Sequence, residues 1–180
     1  MKAILLALIL LPLTIFAQQK ELYPKVVLIN AKLDCSGRMT DSAVLKTLGR
    51  PDSTVRSAAD CGTYFDAQDS LVYYRTVVLE KNMDTFALRQ IVFGANSSVF
   101  VEFGPVKLNA ATTIEDVTSI YKGNGNLEAN EINDQISGRQ VRILSIYPTA
   151  DMARSRDESM LWNLIFYHGK LIRLELWIAC

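Results

Sequence analysis

The residue best suited to acid–base or metal chemistry is a single histidine. His168 stands beside Gly169 between two apolar runs, where a tight turn is expected. A Ser/His/Asp or Cys/His nucleophile system would depend on this one position, and an imidazole base or ligand normally has convergent partners. His168 therefore reads as a solvated turn residue. The chain carries no G-x-S-x-G, H-E-x-x-H or C-x-x-C spacing and no phosphate-cradling glycine loop. Asp60, Asp66 and Asp69 make an acidic loop, and Asn124, Asn126 and Glu128 alternate oxygen ligands. A calcium loop counted from Asn124 needs glycine and glutamate where Ala129 and Gln135 stand. No catalytic residue, no metal site and no cofactor is expected.

Recognition of a protein surface is the chemistry the pattern favours. In the last apolar run Ile172, Leu174, Leu176 and Ile178 alternate onto one face, leaving Leu171, Arg173, Glu175 and Trp177 on the other. Charged groups there demand water or pairing. One constant offset aligns Val44 with Val117, Leu71 with Leu144, Phe93 with Phe166 and Glu102 with Glu175, and strand parity puts Phe100 beside Glu102. Aromatics and arginine on an open sheet face are what binding hot spots use, so Phe100, Glu102, Arg173, Glu175 and Trp177 form the candidate partner-binding set. Phe86 to Phe93 and Met160 to Tyr167 are apolar on both faces. That admits an alternative, a small-molecule-binding protein with an apolar cavity between helices and sheet near Trp162 and Tyr121.

The elements that would position these residues repeat once. Thr40 can cap a helix, Met39 can staple onto Val44, and Val44, Leu45 and Leu48 form its stripe before Gly49 and Pro51 stop it. Strands are expected over Leu71–Leu79, Phe86–Phe93 and Val99–Phe103, with residues 94–98 as a hairpin loop. Val26 to Ile29, ahead of the helix, suits either an edge strand or a segment laid along the core. In the second half Thr112 or Thr113 caps a helix, Thr112 with Glu115 as a capping box, and Val117, Ile120 and Tyr121 give its stripe before Gly123. Strands follow at Gln140–Tyr147, Met160–Tyr167 and Leu171–Ile178, with residues 150–158 as a polar connection. The expected fold is α+β: two tandem helix-plus-antiparallel-meander repeats sharing one sheet, helices on one face. The boundaries are a signal peptide at 1–17, an N-terminal segment at 18–36, a first repeat at 37–108 and a second at 109–180, in one compact domain.

Gly37, Met39-Thr40, Val44 and Leu48-Gly49-Arg50-Pro51 resemble the glycine, Met-Thr, valine and Leu-Gly-x-Pro pattern of the small outer-membrane-assembly lipoproteins of the SmpA/OmlA family, with Arg38 inserted after the glycine. The duplicated plan is similar to the β-lactamase inhibitory protein family, whose tandem halves grip a partner protein. The resemblance implies a protein-binding role in the bacterial envelope or outside it. The chain departs from the lipoprotein pattern in lacking the lipid-bearing cysteine, and its second half lacks Leu-Gly-x-Pro.

Residues 1–17 carry Lys2, an apolar run to Phe16 and a small Ala17, the pattern of a cleaved secretory signal, too short and proline-broken for a good membrane span. Export to the periplasm or the exterior is the expectation. Lysine plus arginine and aspartate plus glutamate both number 19, so neither nucleic acid nor an anionic membrane surface is a favoured partner. Cys35 and Cys61 bracket the first helix, and a bridge between them would close a loop of about 26 residues, contributing roughly 3 kcal/mol. Cys180 would stay free or link to another chain.

Overall fold

The structure, a computed structural model, describes residues 23–24, 26–56, 62–65, 69–95, 97–121 and 129–180. The expected signal peptide, Cys61, Gly123 and the loop residues Asp60, Asp66, Asn124, Asn126 and Glu128 lie outside the described residues. In chain order the elements are β1 (Val27–Ile29), β2 (Leu33–Asp34), β3 (Met39–Thr40), α1 (Asp41–Leu48), β4 (Ser53–Arg56), β5 (Ser70–Tyr74), β6 (Val77–Asn82), β7 (Thr85–Val92), β8 (Val101–Phe103), β9 (Val106–Leu108), α2 (Ile114–Tyr121), β10 (Asn130–Asp134), β11 (Arg139–Ile146), α3 (Ala150–Ser155), β12 (Met160–Tyr167) and β13 (Lys170–Ile178).

Strand outweighs helix, 48% to 16%, and the helices are short, which overturns the expected α+β fold of two helix-plus-meander repeats. The architecture is mostly β. A nine-stranded antiparallel sheet runs β10-β11-β12-β13-β7-β6-β5-β4, with β3 also on β7, and a separate four-stranded sheet runs β2-β1-β8-β9. Three local events divert the chain from the expected plan. Arg75 takes φ 48° and breaks the apolar run Leu71–Leu79 into the β5–β6 hairpin. Val101–Phe103 does not fold back on β7 but pairs with β1, Val27 opposite Phe103, so residues 101–108 leave the large sheet altogether. The connection after β11 carries α3, capped by Thr149, whose hydroxyl oxygen accepts from Met152 N–H at 3.2 Å. The constant offset fails with them, since Glu102 and Glu175 belong to different sheets.

The two longer helices begin and end for local reasons. Thr40 caps α1 through Ala43 N–H, and Gly49 at φ 80° closes it with an N–H to Leu45 O at 3.0 Å. Val44 is buried and Leu48 packs partly against the core, but Leu45 is exposed, so the expected stripe is narrower. At α2 the capping box falls one residue later than expected. Thr113 N–H donates to Asp116 Oδ2 at 2.8 Å and Asp116 N–H to Thr113 Oγ1 at 3.2 Å, while Thr112 Oγ1 accepts from Asn109 N–H.

One core joins α1, α2, the small sheet and one face of the large sheet. Val44 and Val117 from α1 and α2, Val27, Ile29, Val101 and Phe103 from the small sheet, and Ile91, Leu144, Leu164 and Leu174 from the large sheet belong to the same buried cluster. Phe103 is the hinge pin of this packing, edge-on to both Tyr121 and Trp162 with centroids 6.0 and 5.8 Å away. Tyr121 donates its hydroxyl to Phe103 O at 2.8 Å, and a Cβ on the adjacent Gly104, at φ +57°, would meet that hydroxyl at 3.0 Å.

Candidate functional site

Cross-strand register defines the opposite, outer face of the large sheet. Ile143, Ile165, Arg173 and Val92 form one row, and Asn163, Glu175 and Gln90 the next. Trp177 lies opposite Leu161 at the end of β13. Trp177 is 40% exposed; β13 sits mid-sheet, but its ladder with β7 covers only Arg173–Glu175, so Trp177 is paired on the β12 side alone.

Arg173 does not reach solvent. Its two terminal nitrogens fork onto Asp134 at 2.7 and 3.2 Å, and Nε donates to Glu175 at 3.0 Å. Asp134 belongs to β10, three strand spacings from β13, roughly 14 Å in a flat sheet. The edge hairpin β10–β11 must therefore curl across the outer face. It buries Val141 and Ile165 there together with the ion pair. Ser137, in the hairpin turn, adds its hydroxyl and its N–H to Asp134 Oδ2 at 2.6 and 3.1 Å. These donors, the Arg173 guanidinium first, hold the Asp134 carboxyl well below the usual carboxylate range against the opposing effect of burial.

The five candidate binding residues do not converge. Arg173, Glu175 and Trp177 share the outer face of the large sheet, whereas Phe100 and Glu102 belong to the small sheet and the loop entering it. Glu102 pairs with Leu28 and Lys107, and the Phe100 ring lies 3.7 Å from Lys107 Nζ. The outer face carries a feature with no local sequence signal. Residues 62–65 cross it, held by Glu80, whose carboxylate accepts from Tyr64 N–H at 3.0 Å and Phe65 N–H at 2.8 Å, and by Arg89, which donates to Gly62 O at 2.6 Å.

The cysteine expectation is corrected. Cys35 is a free thiol, 3% exposed, and burial pushes it up to about 12. It sits inside the small sheet's packing, its Sγ 3.5 Å from Leu33 O, rather than facing a partner sulfur. Cys180, expected free, is disulfide-bonded, and its partner lies outside the described residues. Its Sγ is 3.8 Å from where a Cβ on Gly62 would be, so the C-terminus closes onto the same crossing segment.

His168 occupies the β12–β13 turn at φ 48°, exposed, against the Tyr167 ring at 4.0 Å. Among the described residues no group of three His, Cys, Asp or Glu side chains is placed to hold a metal ion. No helix among them is long and apolar enough to cross a membrane. Tyr121 and Trp162 both lie on the inner side, where burial raises the Tyr121 hydroxyl above its ordinary value. No protein-family model, no curated protein and no solved structure matches this chain.

Proposed function

We propose that this chain is an exported, non-catalytic protein-binding module that meets a partner protein with the outer face of its large sheet, around Trp177. The observation that carries this reading is a tryptophan 40% exposed on a central strand. Large aromatics flanked by polar groups are what interface hot spots are made of. Leu161 beside it is half-buried and Val92 on the same face is exposed, which extends the apolar surface without making it continuous. Arg173 and Glu175 act here as scaffold, fixing the shape of the face through Asp134, and Phe100 and Glu102 fall away from the contact set.

The test is chemical cross-linking of the mature protein in envelope extract of the source cells, with Trp177→Ala and Leu45→Ala run beside it. Leu45 is also exposed and apolar but lies on α1. One stoichiometric partner retained by Leu45→Ala and lost by Trp177→Ala, with all three proteins equally folded, is the expected result. A partner held equally by both variants removes the outer face from the function.

A further inference from the structure

We propose that the cleft where α3, the segment before β1 and the start of β12 meet binds a small aromatic compound carrying an acceptor oxygen. The cleft has a volume of about 430 Å³, in the range of small-molecule sites. Its walls include Tyr23, Pro24, Pro148 and Trp162, rings that present flat apolar surface with few rotamers to freeze. The space is shaped for a ring.

Trp162, Thr149 and Arg154 in its lining can donate, and its carboxylate, Asp151, is paired with Arg154. Trp162 is 5% exposed and lines the cleft, and its indole N–H has no acceptor among the described residues. An indole nitrogen can only donate, and Trp162 Nε1 is not among the sealed, unpartnered polar atoms of the described residues, so its N–H is open to a group entering the cleft. Thr149 accepts from Met152 N–H, which leaves its hydroxyl proton to give. Arg154 is paired with Asp151, so these two rim charges cancel while the guanidinium keeps further protons to donate. Ser36, on the opposite wall, already donates to Asp34 and accepts from Val27 N–H. A ligand that satisfies this arrangement brings a ring for the walls and an acceptor oxygen for the Trp162 N–H. Because the described rim residues carry no net charge, that oxygen can belong to a carboxylate or to a neutral carbonyl, and the two are separable by experiment.

Trp162 and Trp177 face opposite sides of the sheet, so this site stands or falls independently of the partner surface. The readout is the pair of indole N–H resonances of the mature, ¹⁵N-labelled protein, assigned with Trp177→Phe. Benzoate and benzamide are the probes, and benzylamine is the ring without an acceptor. The expected result is a saturable downfield movement of the Trp162 resonance with benzoate or benzamide at ~1 mM or tighter, with Trp177 unmoved and benzylamine silent. Whichever probe binds better identifies the head group as charged or neutral. Ala150→Phe, on a helix with no buried residue, fills the cleft and abolishes the movement without lowering Tm. No movement, equal movement with benzylamine, or movement that survives Ala150→Phe overturns the proposal.

Discussion

The two faces of the large sheet are held by different forces. The inner face is closed by apolar burial: Leu144, Leu164 and Leu174, consecutive across three strands, are each 0% exposed beneath the helices and the small sheet. The outer face is closed by directional bonds. A curled hairpin is tied down by Asp134 and Arg173, and a crossing segment by Glu80 and Arg89. Burial tolerates small displacements and is insensitive to pH, whereas an ion pair out of water depends on both partners keeping charge and geometry. The inner face thus sets whether the protein folds, and the outer face sets what shape it presents.

The largest effect is expected where the inner face has its hinge pin. Phe103→Ala removes a fully buried ring packed against both Tyr121 and Trp162 and is expected to lower the unfolding free energy by about 3–5 kcal/mol in denaturant titration. A loss below about 1 kcal/mol would mean that the small sheet is not integral to the core.

Asp134→Ala tests the outer face by leaving Arg173 buried without its main partner, an expected loss of about 3 kcal/mol. Replacing both by apolar residues, Asp134→Leu with Arg173→Met, is expected to recover most of it, because no uncompensated charge remains. The same pair gives the wild-type protein a pH signature that the inner face cannot. Asp134 is held below its unfolded value of about 3.9, so its contribution is whole above that value and is lost as pH falls from there through the folded value. Stability measured from about pH 5 downward is expected to fall less steeply in Asp134→Asn than in the wild type.

Glu80→Gln is a milder version of the same contrast. The carboxylate serves two backbone donors at once, and the amide would turn an NH₂ group toward one of them. A loss of about 1–2 kcal/mol is expected, with faster amide exchange confined to Tyr64 and Phe65. Global acceleration of exchange would show that the crossing segment supports the core rather than trimming the outer face.

The inner and outer faces also differed in how much of them could be read from the sequence. Elements with local punctuation were legible: Thr40 and Gly49 bound α1, and His168-Gly169 turns β12 into β13. The alternation along β13 left Trp177 exposed and Leu174 and Leu176 in the core, but it put Leu171 on the charged face, whereas the register shift at Ile165/Phe166 sends Leu171 into the core. Where the chain departs from local signals the reading failed. Arg75 adopts a left-handed turn conformation with none of the glycine, asparagine or aspartate that normally marks one, so an unbroken β-branched run concealed a hairpin. Val101–Phe103 chose β1, far away in sequence, over the neighbouring β7, and the fold class was lost with that pairing. Arg173 was rightly given a need for water or pairing, but its partner Asp134 is remote in the chain, and no spacing announces a fork made by a curling edge.

The smallest effect on stability is expected at the residue on which the functional reading depends most. Trp177→Ala removes a large side chain, but one that is 40% exposed and takes no part in the buried cluster, so the unfolding free energy should shift by no more than about 0.5–1 kcal/mol. Trp162→Phe, a smaller chemical change at a residue 5% exposed, should cost more than Trp177→Ala because it opens space against Phe103. Measured side by side by denaturant titration, the two variants place the sheet's faces on one scale. If Trp177→Ala is the more damaging of the two, the indole is packed as part of the fold, and an aromatic that the fold needs is no longer surplus surface available to a partner. If the order is as expected, the exposed indole contributes less to stability than a single buried-ring change on the opposite face, and Trp177 stays available as surface for the proposed partner contact.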